Sequence, residues 1–115
     1  MKRILFIDDE KQILDSVQLI LETMGYQVVT HETATEGLQT ALNDSFDLIL
    51  VDIRMPEMNG AEVTEEILRN KPQASVLVLT GYPSDPLARR ALESGACGLV
   101  RKPFEVAKIL EHLEE

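Results

Sequence analysis

The chain has one cysteine, two histidines, no cluster of Lys and Arg, and no long apolar run. A lone Cys97 cannot close an internal disulfide, and with Ala96 and Leu99 as neighbours it reads as a small buried side chain rather than a reactive thiol. With no His or Cys cluster there is no zinc site to consider, and His31 and His112 read as partly exposed bystanders. The longest uncharged stretch, Pro72 to Ser84, contains Gly81 and two prolines and falls well short of the roughly 20 apolar residues that cross a bilayer. The start, Met1-Lys2-Arg3 and then Ile4 to Ile7, is too short in apolar residues for a secretory signal, so the chain reads as cytoplasmic with no membrane partner. Eleven basic against 20 acidic residues give a formal net charge of -9. Direct contact with nucleic acid or an anionic membrane is therefore opposed, and divalent cations are the more natural partners. No repeat or low-complexity segment is present, and 115 residues with 44% hydrophobic content suit a single domain, 1–115.

What is present is an alternation of short apolar runs with segments of three-to-four spacing, the pattern of strand-helix-strand units in a parallel sheet. Strands are expected at Lys2 to Ile7, Tyr26 to Thr30, Asp47 to Val51, Ser75 to Leu79 and Cys97 to Val100. The first helix should bury Ile13, Leu14, Val17, Ile20, Leu21 and Met24 and stop at Gly25. The second runs from about Thr33 to Asn43 with Ala34, Leu38, Ala41 and Leu42 inward. The third opens at Asn59 or Gly60 with Val63, Ile67 and Leu68 inward and ends before Pro72. Ser84 or Asp85 caps the fourth, which has Pro86 in its first turn, Leu87, Ala91 and Leu92 inward, and Gly95 at its close. Phe104 to Leu113 forms the last, and Glu111, Glu114 and Glu115 read as a solvated face. Right-handed crossovers then give a doubly wound α/β sheet with five strands, five helices and all strand carboxyl ends on one edge.

At that edge four runs deliver residues suited to phosphate or metal chemistry: Asp8-Asp9, Asp52, Thr80 and Lys102. Three neighbouring carboxylates repel by about 4 kcal/mol per pair at roughly 4 Å and an effective dielectric near 20, a repulsion that a hard divalent cation such as Mg²⁺ offsets. Lys102 supplies a positive charge for an anionic group and Thr80 a neutral donor. The set suits phosphoryl transfer with a carboxylate as nucleophile, and Asp52 is best placed for the attack. Taken singly the residues are less telling: Asp8 also suits a helix N-cap, Asp52 a solvated loop, Thr80 a strand end, and Lys102 the surface.

Together, Asp8-Asp9, the run Asp52-Ile53-Arg54-Met55-Pro56-Glu57-Met58-Asn59-Gly60, Thr80-Gly81 and Lys102-Pro103-Phe104 resemble the receiver domain of bacterial two-component response regulators. The resemblance spans essentially the whole chain. It implies a flavodoxin-like sheet in the order 2-1-3-4-5, which would bring Asp8, Asp9 and Asp52 together at the switch point. It also implies that Asp52 accepts a phosphoryl group from the phosphohistidine of a sensor histidine kinase or phosphotransfer protein. Mg²⁺ would be held by Asp9, Asp52 and the backbone carbonyl of Arg54, with Asp8 acting partly through a metal-bound water. Lys102 and Thr80 would each bond a phosphoryl oxygen. The Ser84–Leu113 face would change conformation to control a downstream effector, and a homodimer could form on phosphorylation.

One position departs from the family pattern: Leu99 stands where an aromatic switch residue is usual. Leu99 either simply packs, or Tyr82 takes over part of the contact surface. By the same resemblance Arg54 and Tyr82 border the path of the water that hydrolyses the acyl phosphate, and the expectation is slower phosphate loss than in Arg54→Ala or Tyr82→Ala. Competing functions are a Mg²⁺-dependent phosphatase or mutase, which would want a second acid where Arg54 stands, and a nucleotide or flavin binder, which Asp8-Asp9-Glu10 would repel. A receiver-like module that is never phosphorylated would lack one of the key residues. The chain ends with its last helix, which leaves open both a stand-alone regulator and the amino-terminal part of a longer protein.

Overall fold

The computed structural model describes residues 2–104 and 106–113. Strands β1 (Arg3–Ile7), β2 (Gln27–His31), β3 (Leu48–Asp52), β4 (Val76–Thr80) and β5 (Gly98–Arg101) alternate with helices α1 (Lys11–Thr23), α2 (Ala34–Asn43), α3 (Gly60–Asn70), α4 (Pro86–Glu93) and α5 (Val106–Leu110). All pairings are parallel, in the order β2-β1-β3-β4-β5. The expected doubly wound sheet is therefore present.

Successive residues along each strand point to opposite faces, and here both faces are apolar because both are covered. Ile4, Phe6, Leu48, Leu50, Leu77, Leu79 and Val100 pack on one side with Leu14, Val17 and Leu21 of α1 and with Ile109 and Leu113. Leu5, Ile7, Ile49, Val51, Val76 and Val78 pack on the other with Ala34 and Ala41 of α2, Ala61, Val63 and Ile67 of α3, and Ala91 of α4.

Each strand begins one residue later than the apolar pattern suggests, and β2 to β5 also end one later. The ladder is made by backbone groups, so it runs on past the last apolar side chain into polar positions. Asp52 pairs with Leu79 and Thr80 with Arg101, which makes Asp52 the final residue of β3 instead of the first residue beyond it. Gly25 and Gly95 close α1 and α4 with φ of 97° and 112°, a backbone region that glycine enters at no steric cost.

Several expected core positions lie outside. Ile20, Met24 and Leu92 are exposed and Leu42 is half-buried, whereas Ile13, Leu38, Leu68 and Leu87 are half-buried and pack against the core as expected. A helix beside a sheet needs only a narrow buried stripe, which Leu14, Val17 and Leu21 already fill in α1, and Ala88 and Ala91 fill in α4. Cys97 is likewise exposed, not buried. It precedes the edge strand β5 and is held by its amide to the Val76 carbonyl at 2.8 Å. Partial burial of its thiol still pushes the pKa up, away from thiolate character. Glu111 is exposed as expected, whereas Glu114 and Glu115 lie outside the described residues.

Candidate functional site

Strand parity explains the site. Asp8 follows Ile4 and Phe6, Asp52 follows Leu48 and Leu50, and Lys102 follows Val100, so all three continue the rows that face α1 and α5. The neighbouring register of β1 and β3, with Ile7 beside Val51, brings Asp8 next to Asp52. Asp9 lies just past the strand and is exposed, yet Asp8, Asp9 and Asp52 each present a carboxylate oxygen within 4.8 Å of the others. Hard oxygen donors in this number suit a divalent cation of the magnesium type.

Lys102 sits among these acids. Its Nζ is 2.7 Å from Asp8 Oδ2, 3.1 Å from Asp52 Oδ1 and 3.3 Å from Glu10 Oε1. The backbone that carries it is fixed by the Lys102 amide donating to the Thr80 carbonyl at 2.7 Å. Asp8 is fully buried, and its Oδ1 accepts the Glu10 amide at 2.9 Å. The N-cap of α1 is Glu10, not Asp8, and Asp8 meets the helix start only through that bond to the Glu10 amide.

The charges are held at a cost. Burial raises the Asp52 pKa to about 6, with Asp8 and Asp9 adding to the rise and Lys102 opposing it. Asp8 is raised as well, first by burial and in spite of its Lys102 and Glu10 partners. For Lys102, burial disfavours the ammonium, but the hydrogen bond to Asp8 and the charges of Asp52 and Asp8 outweigh it and raise its pKa.

Thr80 follows Val76 and Val78 and so points to the opposite face. Its hydroxyl donates to the Tyr82 carbonyl at 3.0 Å and accepts the Tyr82 amide at 3.1 Å. It is buried at the same rim but engaged with its own loop, not with the acids. Tyr82 is 75% exposed, while Leu99 is half-buried against the face covered by α2, α3 and α4.

The loop after Asp52 is closed by close packing. A Cβ at Gly60 would lie 2.3 Å from the Asp52 carbonyl oxygen and 2.7 Å from Ile53 Cα, so only glycine lets α3 start this near the end of β3. Asn59 and Glu62 form a reciprocal capping box there, with bonds of 2.9 and 3.0 Å. Arg54 reaches across to Asp85, the N-cap of α4, with Nε 2.8 Å from Oδ2 and Nη2 2.9 Å from Oδ1.

The structure thus joins Asp8, Asp9, Asp52 and Lys102, with Thr80 at the same rim but turned away. His31 is turned to Thr40 at 2.8 Å, and His112 lies 3.8 Å from the Cys97 sulfur. Glu10 and the Arg54–Asp85 pair add contacts that the sequence pattern does not announce. Glu10 is signalled only by following Asp8-Asp9, and Asp85 only as a helix cap.

The sequence profile of the family described as "Response regulator receiver domain" matches residues 4–114. The transcriptional regulatory protein YkoG of Bacillus subtilis, itself described as uncharacterized, is 36% identical over 110 residues, covering 96% of this chain and 48% of that protein. The chain therefore spans about half the length of this curated relative. A CheY-like receiver domain protein from Methanospirillum hungatei superposes with a TM-score of 0.91 at 40% identity, over 96% of this chain and 89% of the other. A response regulator protein from Burkholderia pseudomallei, solved with a phosphorylated aspartic acid, a calcium ion and citrate, gives 0.89 at 32% identity, over 99% and 67%.

Proposed function

The chain belongs to the response regulator receiver domain family of two-component systems, and from that we propose that Asp52 is its phosphoryl acceptor. The observation that carries the proposal is Lys102 Nζ standing between Asp8 and Asp52, with Asp9 completing an oxygen cluster. Asp8, Asp9, Asp52 and the backbone carbonyl of Arg54 would hold Mg²⁺. When bound, the ion supplies positive charge that neutralises the carboxylates and the phosphoryl oxygens.

In the reaction an Asp52 carboxylate oxygen forms a bond to phosphorus, while the phosphorus–nitrogen bond of the kinase or phosphotransfer phosphohistidine breaks. The electron pair leaves with the imidazole nitrogen. With its pKa near 6, Asp52 is mostly ionised at about pH 7 even without a metal, so the nucleophile is ready. Lys102 already reaches both acids, and its ammonium needs to move little to donate to a phosphoryl oxygen. Asp9, exposed at the rim, is open to an ion arriving from solvent.

Thr80 supplies the switch. Its hydroxyl gives up its donor bond to the Tyr82 carbonyl, a neutral bond worth about 1 kcal/mol net, for a charge-assisted bond to a group carrying roughly -2, worth about 1.5–3 kcal/mol. The turn of Thr80 rearranges the loop that leads into α4. The Ser84–Leu113 face, with Leu92 exposed, then controls a downstream effector, either directly or through a homodimer. Leu99 acts there as a packing residue.

Incubation with acetyl phosphate and Mg²⁺, followed by intact-mass measurement, tests this. The parent gains one phosphoryl mass and Asp52→Asn gains none. No gain in the parent would favour a module that works unphosphorylated, and steady turnover of phosphate esters would favour a phosphatase.

A further inference from the structure

One carboxylate at the rim holds two elements at once. Asp85 Oδ1 accepts the Leu87 amide at 2.9 Å, capping α4, and the same carboxylate takes two guanidinium bonds from Arg54. The two partners differ in freedom: the Asp85 side chain is 5% exposed and anchored to backbone, whereas the Arg54 side chain is 67% exposed. Arg54 lies two residues beyond Asp52, so its side chain is rooted in the loop that borders the acceptor. The pair therefore ties the loop after β3 to the first turn of α4. An exposed arginine bound to a single carboxylate is a pair readily given up when a stronger anion appears nearby.

Resting on the assignment of Asp52 as phosphoryl acceptor, we propose that Asp85 is a positioning residue that holds the Arg54 guanidinium in reserve. A phosphoryl group on Asp52 draws Arg54 away from Asp85. A tetrahedral anion with roughly -2 charge offers more acceptors than a carboxylate, and arginine matches it through paired donors. Asp85 and the phosphoryl group compete for one cation. Arg54 leaving Asp85 also frees the capping end of α4, which couples the chemistry at β3 to the Ser84–Leu113 face. By linkage, anything that weakens the hold of Asp85 on Arg54 strengthens binding of the phosphoryl group.

Asp85→Asn tests the competition, because asparagine keeps the capping oxygen for Leu87 and removes the charge that binds Arg54. The probe is beryllofluoride with Mg²⁺, an analogue of the phosphoryl group, titrated by calorimetry. Asp85→Asn should bind it about 5-fold tighter than the parent. Asp85→Ser, another capping residue, should gain similarly if the asparagine variant folds poorly. Arg54→Gln, which keeps its backbone carbonyl, should bind more weakly than the parent, and in that background Asp85→Asn should change nothing. Unchanged or weaker binding in both Asp85 variants overturns the proposal, as does an equal gain in the Arg54→Gln background. If the parent itself binds no beryllofluoride, the acceptor assignment falls together with it.

Discussion

Replacing Asp52 by Asn should stabilise the metal-free protein, although it removes the residue on which function depends. Asp52 is 6% exposed, and burial with two neighbouring acids lifts its pKa from 3.8 to about 6. Between those values the folded protein binds a proton that the unfolded chain has released, so this contribution to stability falls as pH rises through the window. More than about a unit above pH 6 the penalty is complete. The shift is roughly 2 units at about 1.4 kcal/mol each, or about 3 kcal/mol by about pH 7.5, and about half of that at pH 5. Asparagine is neutral throughout and escapes the penalty. For a chain of this size the gain corresponds to roughly 10 °C in Tm. Urea melts of parent and Asp52→Asn in EDTA at the two pH values measure it, and Mg²⁺ should narrow the gap by binding the parent. An Asp52→Asn protein no more stable than the parent at about pH 7.5 would refute the electrostatic argument.

Lys102→Gln should have the opposite sign, costing roughly 3 kcal/mol in metal-free urea melts near neutral pH, because Asp8 and Asp52 lose the cation that pairs them. Mg²⁺ affinity, followed by calorimetry, should fall about tenfold from pH 7 to pH 5 as Asp52 takes up a proton. Gly60→Ala places a Cβ against the Asp52 carbonyl and should lower stability by about 3 kcal/mol in denaturant melts, and equal stability would mean that α3 can move away at no cost. Once phosphorylated, Tyr82→Ala and Arg54→Ala should each lose phosphate faster than the parent, as followed by intact mass over time.

Much of this was legible in the sequence because apolar strands buried on both faces leave a plain trace. The runs ending at Ile7, Val51 and Leu79 mark β1, β3 and β4, and the polar residue after each run marks the rim. The apolar pattern stops one residue short of the ends of β2 to β5, because side chains carry the pattern while backbone pairing continues, in β3 and β4 to Asp52 and Thr80. Ile20, Met24 and Leu92 misled because helical periodicity shows which face is apolar but not how much of it the sheet can cover. The Arg54–Asp85 pair joins residues 31 positions apart, and the turning of Thr80 to Tyr82 depends on parity at the rim. The first leaves no local signature, and the second shows only when the alternation of β4 is carried on past Val76 and Val78 to Thr80.

Phosphoryl transfer is assigned to one group, the Asp52 carboxylate. After treatment with acetyl phosphate and Mg²⁺, reduction with borohydride converts an aspartyl phosphate to homoserine, and peptide mass mapping locates it. Homoserine is expected at position 52 and at no other aspartate. Homoserine at position 8 or 9, or none anywhere, would contradict that assignment.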